Sequence, residues 1–305
     1  MNDQERMLLR YVVDGDIRKS RQAAKIILES ITSAKDSHFK ERLLKELDAK
    51  PSLIELPPNL QGLLRAEDSA MFPIGKYYIT PEHDELTTQV LRVFKVSQKL
   101  MEKGIRYLPT LLLHGESGCG KTELARYIAY KADLPFVLVR FSGLVDGILG
   151  NTQKNLQRVF DYANGSPCVL CFDELDAIGM RRGTKGDVAE LSRVTIALMQ
   201  ELDTVSPNRI IIGTTNRYLD LDPALSRRFT IEHKVMPLKT EGVIEAAEKF
   251  LSYCGMTMPE TDHKNWLNRK LNEGEIAFGD FCEPIARVIK VCTEYVVQRM
   301  TEEIE

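Results

Sequence analysis

"LLLHGESGCGKTELARYIA", residues 111–129, passes from aliphatic residues through three glycines around one lysine and back into helix formers. Gly115, Gly118 and Gly120 permit tight turns and let backbone N–H groups approach a ligand that a Cβ would hold off. The stretch fits G-x-x-x-x-G-K-[ST]: Gly115 opens it, Glu116, Ser117, Gly118 and Cys119 form the loop, Gly120 and Lys121 close it, and Thr122 supplies a hydroxyl suited to Mg²⁺. A short buried strand is expected over 110–114, and from Glu123 a helix over 123–131 whose N-terminus turns its positive dipole end toward an anion. A phosphate is the ligand this arrangement suits. The alternative, a glycine-rich turn beside a solvated lysine, has to be judged against the rest of the chain.

At 305 residues, the chain is long enough for two or three compact units, and a 43% hydrophobic, 28% charged composition is that of a soluble globular protein. A formal charge of -3 speaks against a general polyanion-binding surface, so a nucleic-acid partner is not the first expectation. The opening "MNDQERMLLR" is charged from its third residue, unlike a signal peptide, and no apolar run approaches the ~18 residues of a membrane span. A cytoplasmic protein with no membrane partner is expected. Cys168 and Cys171 form a C-x-x-C, but in a strand residues three apart face opposite ways, so the pair does not converge on one ion.

Helical spacing recurs in residues 1–50, through Met7, Leu8, Tyr11 and Val12, then Ala23, Ala24, Ile27, Leu28 and Ile31, then Phe39, Leu43, Leu44 and Leu47. A small helical unit is expected there, followed by a linker over 51–75 that Pro51, Pro57, Pro58 and Pro73 interrupt. From 76 to 235 strands alternate with helices, the strands falling at 110–114, 136–140, 168–172, 209–214 and 231–235. That pattern predicts an α/β fold, a P-loop three-layer α/β/α sandwich on a parallel sheet. Residues 236–305 read as a small all-helical lid, with Val243, Ile244, Ala247, Phe250 and Leu251 on one face. Phe281, Ile285, Val288, Ile289, Cys292, Tyr295 and Val296 line another.

A phosphate cradle binds but does not hydrolyse, so the downstream strand ends decide the chemistry. "CVLCFDEL", 168–175, ends a buried strand in Asp173 and Glu174, at the sheet edge where α/β folds place ligands. Asp173 is suited to hold Mg²⁺ through water, and Glu174 to orient or deprotonate an attacking water; the same acids could instead cap the next element. A further aliphatic strand ends in Thr214, Thr215 and Asn216, whose amide can reach a γ-phosphate or the lytic water. Arg227 and Arg228 follow, either as a solvated basic turn or as guanidiniums acting on a neighbouring subunit's γ-phosphate.

Taken in order, "GESGCGKT", "CVLCFDEL", "TTN" and "LDPALSRRF" resemble the AAA+ ATPases, and within them the classical AAA group, over roughly residues 76–300. The resemblance implies ATP and Mg²⁺ as ligands. It puts Lys121 and Thr122 at the phosphates and metal, Asp173 and Glu174 as metal-side and catalytic carboxylates, Asn216 as first sensor, and Arg227 and Arg228 as trans-acting fingers. "AFGDF", 277–281, is similar to the family's second-sensor region. The compact "SRRF" looks more like the ending found in microtubule-severing and membrane-scission members than the longer RPGRF.

Such proteins typically work as hexameric rings. The expected function is therefore an Mg²⁺-dependent ATP hydrolase that forms a homo-oligomeric ring and remodels a protein substrate or adaptor. A partner protease is a further option that no residue here shows. The first pore loop of the family aligns on Ile148 and Leu149, where an aromatic is usual, and the second on 179–187 with Arg181, Arg182 and Lys185. That basic cluster carries the rival expectation, a nucleic-acid loader or transposition-type helper.

Overall fold

A computed structural model of the chain describes residues 3–13, 17–30, 40, 43, 56–144, 151–165, 167–177, 188–259, 262–271 and 282–302. The aliphatic runs form the sheet: β2 (Thr110–His114), β3 (Phe136–Val139), β4 (Val169–Phe172), β5 (Ile210–Thr215) and β6 (Ile231–Lys234). These five pair in parallel, and an edge strand, β1 (Leu64–Glu67), joins β3 antiparallel, giving the order β1-β3-β4-β5-β2-β6. Parallel strands are buried on both faces, which is why "LLL", "VLCF" and "III" run without polar interruption.

Alternation along each strand sorts the core into two layers. Leu112, Leu170, Phe172 and Ile211 meet helices α6 (Asn151–Gly165) and α7 (Val188–Thr204) on one face. Leu111, Leu113, Val169, Cys171 and Ile212 meet α3 (Pro81–Glu102) and α4 (Lys121–Ala132) on the other. Cys168 belongs to the first layer and Cys171 to the second, so the two thiols face opposite sides of the sheet. This is the expected α/β/α sandwich. Two short helices, α5 (Phe141–Leu144) and α8 (Pro223–Ser226), complete the body.

The stretch expected to be a linker carries more structure than its prolines suggest. Leu64 and Ala66 alternate with Arg65 and Glu67, which gives four residues one apolar face; both apolar side chains are 1% exposed in the core with Val137 and Val139. Residues 64–67 are thus sheet, not spacer, and Leu60, Leu63 and Phe72 on either side are buried as well.

The lid packs α9 (Thr240–Tyr253), α10 (His263–Leu271) and α11 (Ile285–Glu302) around their own core of Val243, Ala247, Leu251, Trp266, Leu267, Val288 and Cys292. Among the described residues of the lid, a two-residue ribbon, β7 (Leu238–Lys239) against β8 (Cys282–Glu283), accompanies these helices. At the other end α1 (Asp3–Val13) and α2 (Ile17–Ser30) pack on each other. Of the third helical set expected near 39–47, Leu43 is described and helical; Phe39, Leu44 and Leu47 lie outside the described residues, as do Ile148, Leu149, 179–187 and 277–281.

If β1 is part of the core, Leu64→Ala should destabilise the protein by about 2–5 kcal/mol in a urea titration. A linker position would give a loss within about 0.5 kcal/mol, and that result would contradict the strand assignment.

Candidate functional site

The C-terminal ends of β2, β4 and β5 lie side by side, and the chain crosses over between them, because β2 sits between β5 and β6. A crevice at such a crossover is where α/β sheets bind ligands. Here a cleft of about 1210 Å³ opens between that edge, the segment around Phe72 to Tyr78, and lid helix α11.

The loop after β2 is shaped by backbone geometry. Gly115 has φ +143°, and a Cβ there would stand 2.2 Å from the Val235 carbonyl oxygen, so the loop leaves β2 only through a glycine. Gly120, at φ +90°, starts α4 in the left-handed region and lies under lid residue Ile285. The lid touches this loop directly, since the Ala286 N–H donates to the Gly118 carbonyl at 3.0 Å.

Lys121 is 7% exposed, and its ammonium spends its three donors on the Gly115 carbonyl (2.9 Å), the Glu116 carbonyl (2.7 Å) and Asn216 Oδ1 (2.5 Å). Burial draws its pKa below the usual lysine value, against the pull of nearby Asp173, Asp176 and Glu116. Thr122 Oγ1 lies 2.9 and 3.0 Å from the two Asp173 carboxylate oxygens and donates to that group. Thr214 Oγ1 also donates to Asp173 and accepts the Glu174 N–H at 3.2 Å.

Glu174 takes φ +54°, a conformation that costs a non-glycine residue on the order of 1 kcal/mol or more. The strand turns sharply there, and Glu174 is left exposed on the cleft wall beside half-buried Asp173.

Of the residues singled out in the sequence, Ser117, Gly118, Cys119, Gly120, Lys121, Thr122, Glu123, Asp173, Glu174 and Asn216 all line this cleft. Gly115 and Glu116 do not line it and accept hydrogen bonds from Lys121 through their carbonyls. Arg227 and Arg228 do not line it, and the structure separates the two. Arg228 donates to the Ala224 carbonyl at 2.7 Å and pairs with Asp203 at 3.4 Å. Arg227 is exposed, with no side-chain partner among the described residues. Thr214 and His83 were not singled out for the site. Thr214 is one of two adjacent threonines that end β5, which only folding tells apart, and His83 reaches the cleft only because α3 packs on α4.

A family model described as "ATPase family associated with various cellular activities (AAA)" matches residues 111–236, a span that holds every residue in the candidate set. The "Uncharacterized AAA family ATPase y4kL" of Sinorhizobium fredii is 30% identical over 237 residues, covering 74% of this chain and 70% of that protein. The chain belongs to the AAA family of ATPases. It is an ATP hydrolase of the P-loop class. This AAA ATPase is also similar to 26S proteasome regulatory subunit 10B of Dictyostelium discoideum, 37% identical over 164 residues, which spans 52% of this chain but only 42% of that one. In fold it is similar to a chain of the E. coli MS115-1 HORMA:CdnC:Trip13 complex, with a TM-score of 0.55, 17% identity, and coverage of 78% of this chain and 97% of that chain.

His83 gives this ATPase a titratable group on the cleft wall. It is 8% exposed, its Nδ1 has no partner, and its ring centroid lies 6.1 Å from that of His233. Burial, helped by the like charge of His233, lowers its pKa from 6.5 to about 4. The folded state therefore binds this proton more weakly than the unfolded chain, and stability present above pH 6.5 is lost as pH falls toward 4. Urea titrations across that window should show a shallower decline for His83→Leu than for the parent. Equal slopes would mean that His83 titrates normally in the fold.

Proposed function

We propose that this AAA ATPase assembles into a homo-oligomeric ring, most simply a hexamer, and uses Mg²⁺-dependent ATP hydrolysis to remodel a protein partner. The observation that supports it most is the division of the candidate set. Lys121, Thr122, Asp173, Glu174 and Asn216 converge on one cleft, while exposed Arg227 stands outside it. A guanidinium without a partner among the described residues of its own chain suits the cleft of a neighbouring copy, where such a charge can be worth ~10³ to 10⁵ in rate. Arg228, tied to Ala224 and Asp203, would set the backbone from which Arg227 projects.

The residues present fit an Mg²⁺ ion. Thr122 and Asp173 offer adjacent hard oxygen donors, one hydroxyl and one carboxylate, leaving the remaining positions to water and phosphate as this ion prefers. Bound there, the ion would supply charge neutralisation on the phosphates. The chain's own groups would do the rest. Lys121 would exchange its loop and amide acceptors for phosphate oxygens. Glu174, exposed at the cleft wall, would take the proton of the attacking water, and Asn216 would hold that water or the γ-phosphate in line.

Two contacts would carry loop movement into the lid, the Ala286 to Gly118 hydrogen bond and the 2.7 Å bond from Tyr78 Oη to Glu245 on α9. In this reading 76–235, joined by β1, is the nucleotide-binding body and 236–305 the lid. The N-terminal helices, with Met7, Leu9, Val12 and Val13 exposed on α1, would receive the substrate or an adaptor. The name of the proteasome relative supports a protein substrate over a nucleic acid, and a partner protease or a cytoplasmic location belongs to the same reading. Among the described residues no helix is long and apolar enough to cross a membrane.

One assay tests both parts. Arg227→Ala and Glu174→Gln proteins, each inactive alone, should regain ATPase activity when mixed, because each supplies what the other lacks, and unfolded polypeptide should stimulate the parent protein more than single-stranded or duplex DNA. Absence of rescue at every mixing ratio would count against shared sites, and selective stimulation by DNA would replace the protein partner with a nucleic acid.

A further inference from the structure

Outside the cleft, three side chains from β2, the turn after β5 and β6 meet. His114 ends β2, just before Gly115; Tyr218 comes two residues after Asn216; Glu232 lies on β6. The His114 and Tyr218 rings stack at 4.2 Å between centroids and 23° between planes. Glu232 takes one contact from each: the Tyr218 hydroxyl donates to Oε2 at 3.0 Å, and His114 Nε2 lies 3.3 Å from Oε1. None of the three lines the cleft, so none is placed to touch the nucleotide.

Two residues before Tyr218 in the chain lies Asn216. Strand β5 ends at Thr215, and Asn216 itself is exposed, past the last ladder hydrogen bond. On its N-terminal side the backbone is fixed by Thr215, whose hydroxyl donates to Asp176 at 2.6 Å and accepts the Arg217 N–H at 3.0 Å. On its C-terminal side the chain turns through Tyr218–Asp220, and Tyr218 is the anchor. Its ring lies on His114, the last residue of β2 before the phosphate loop, and its hydroxyl is tied to the strand on the other side of β2. A side-chain amide that must meet Lys121 at 2.5 Å needs its backbone fixed from both ends.

We infer that His114, Tyr218 and Glu232 form a clamp that positions Asn216 for hydrolysis, acting through that residue and not on the substrate. The inference rests on the reading of Asn216 and Lys121 given under the proposed function.

The test is steady-state ATPase kinetics on the full chain. Tyr218→Ala should lower kcat about tenfold, since a misplacement near 1 Å can cost up to ~10²-fold. The KM for ATP should move less than about twofold, and Tyr218→Phe, which keeps the stack, should recover most of the rate. Adding Tyr218→Ala to Asn216→Ala should cause no further loss, a result that a merely structural role would not give. Should Tyr218→Ala not fold, His114→Ala, which removes the other ring of the stack, carries the same comparison.

An unchanged kcat, or a Tyr218→Ala effect that multiplies in full onto Asn216→Ala, would overturn the clamp. If Asn216→Ala alone hydrolyses ATP at the normal rate, the site reading fails and takes the clamp with it; a slow Asn216→Ala beside a normal Tyr218→Ala removes the clamp only.

Discussion

A lysine ammonium taken out of water needs an oxygen for each of its three N–H bonds, and the upper edge of this sheet is arranged to provide them around Lys121. Two of those oxygens are carbonyls that point inward only because the loop bends at Gly115, where no Cβ fits beside Val235. The third belongs to Asn216, delivered by β5 lying next to β2 in register. Strand order, glycine placement and the site are thus one constraint met three ways. A residue that disturbs any of them leaves a buried charge short of a partner, which is costlier than losing an ordinary hydrogen bond.

The same edge is built to sense its neighbours. Thr214 bridges Asp173 and the Glu174 N–H, so the acidic pair after β4 is fixed by the strand that carries Asn216. On the lid side, Tyr77 and Tyr78 are consecutive yet pack into different cores, the first into the body with Phe72 and the second against the lid with Leu238. The phosphate loop is thus bonded to the lid through Gly118 and Ala286, and the Tyr78 segment is bonded to the lid at α9.

Much of this was legible in the sequence, for physical reasons. Buried parallel strands must be apolar throughout, so "LLL", "VLCF" and "III" announce themselves, and the observed strand ends fall within a residue or so of the expected ones. The glycine turn and the acids at strand ends carry their chemistry in residue type and spacing. Strand β1 was hidden because four alternating residues between prolines look like a spacer until Val137 and Val139 lie beside them. Arg227 and Arg228 are identical in type, and only Asp203 and the Ala224 carbonyl, brought close by folding, tell them apart. His114, Tyr218 and Glu232 span 118 positions with no local pattern, so their meeting is a property of strand order alone.

If Lys121 marks the place of the phosphates, removing its ammonium weakens ATP binding. The direct measurement is the ATP dissociation constant of Lys121→Ala against the parent by isothermal titration calorimetry, with circular dichroism to confirm the fold. Loss of a charged hydrogen-bond partner worth about 1.5–3 kcal/mol predicts binding weakened by roughly 10- to 150-fold. A folded Lys121→Ala protein that binds ATP as tightly as the parent would contradict it.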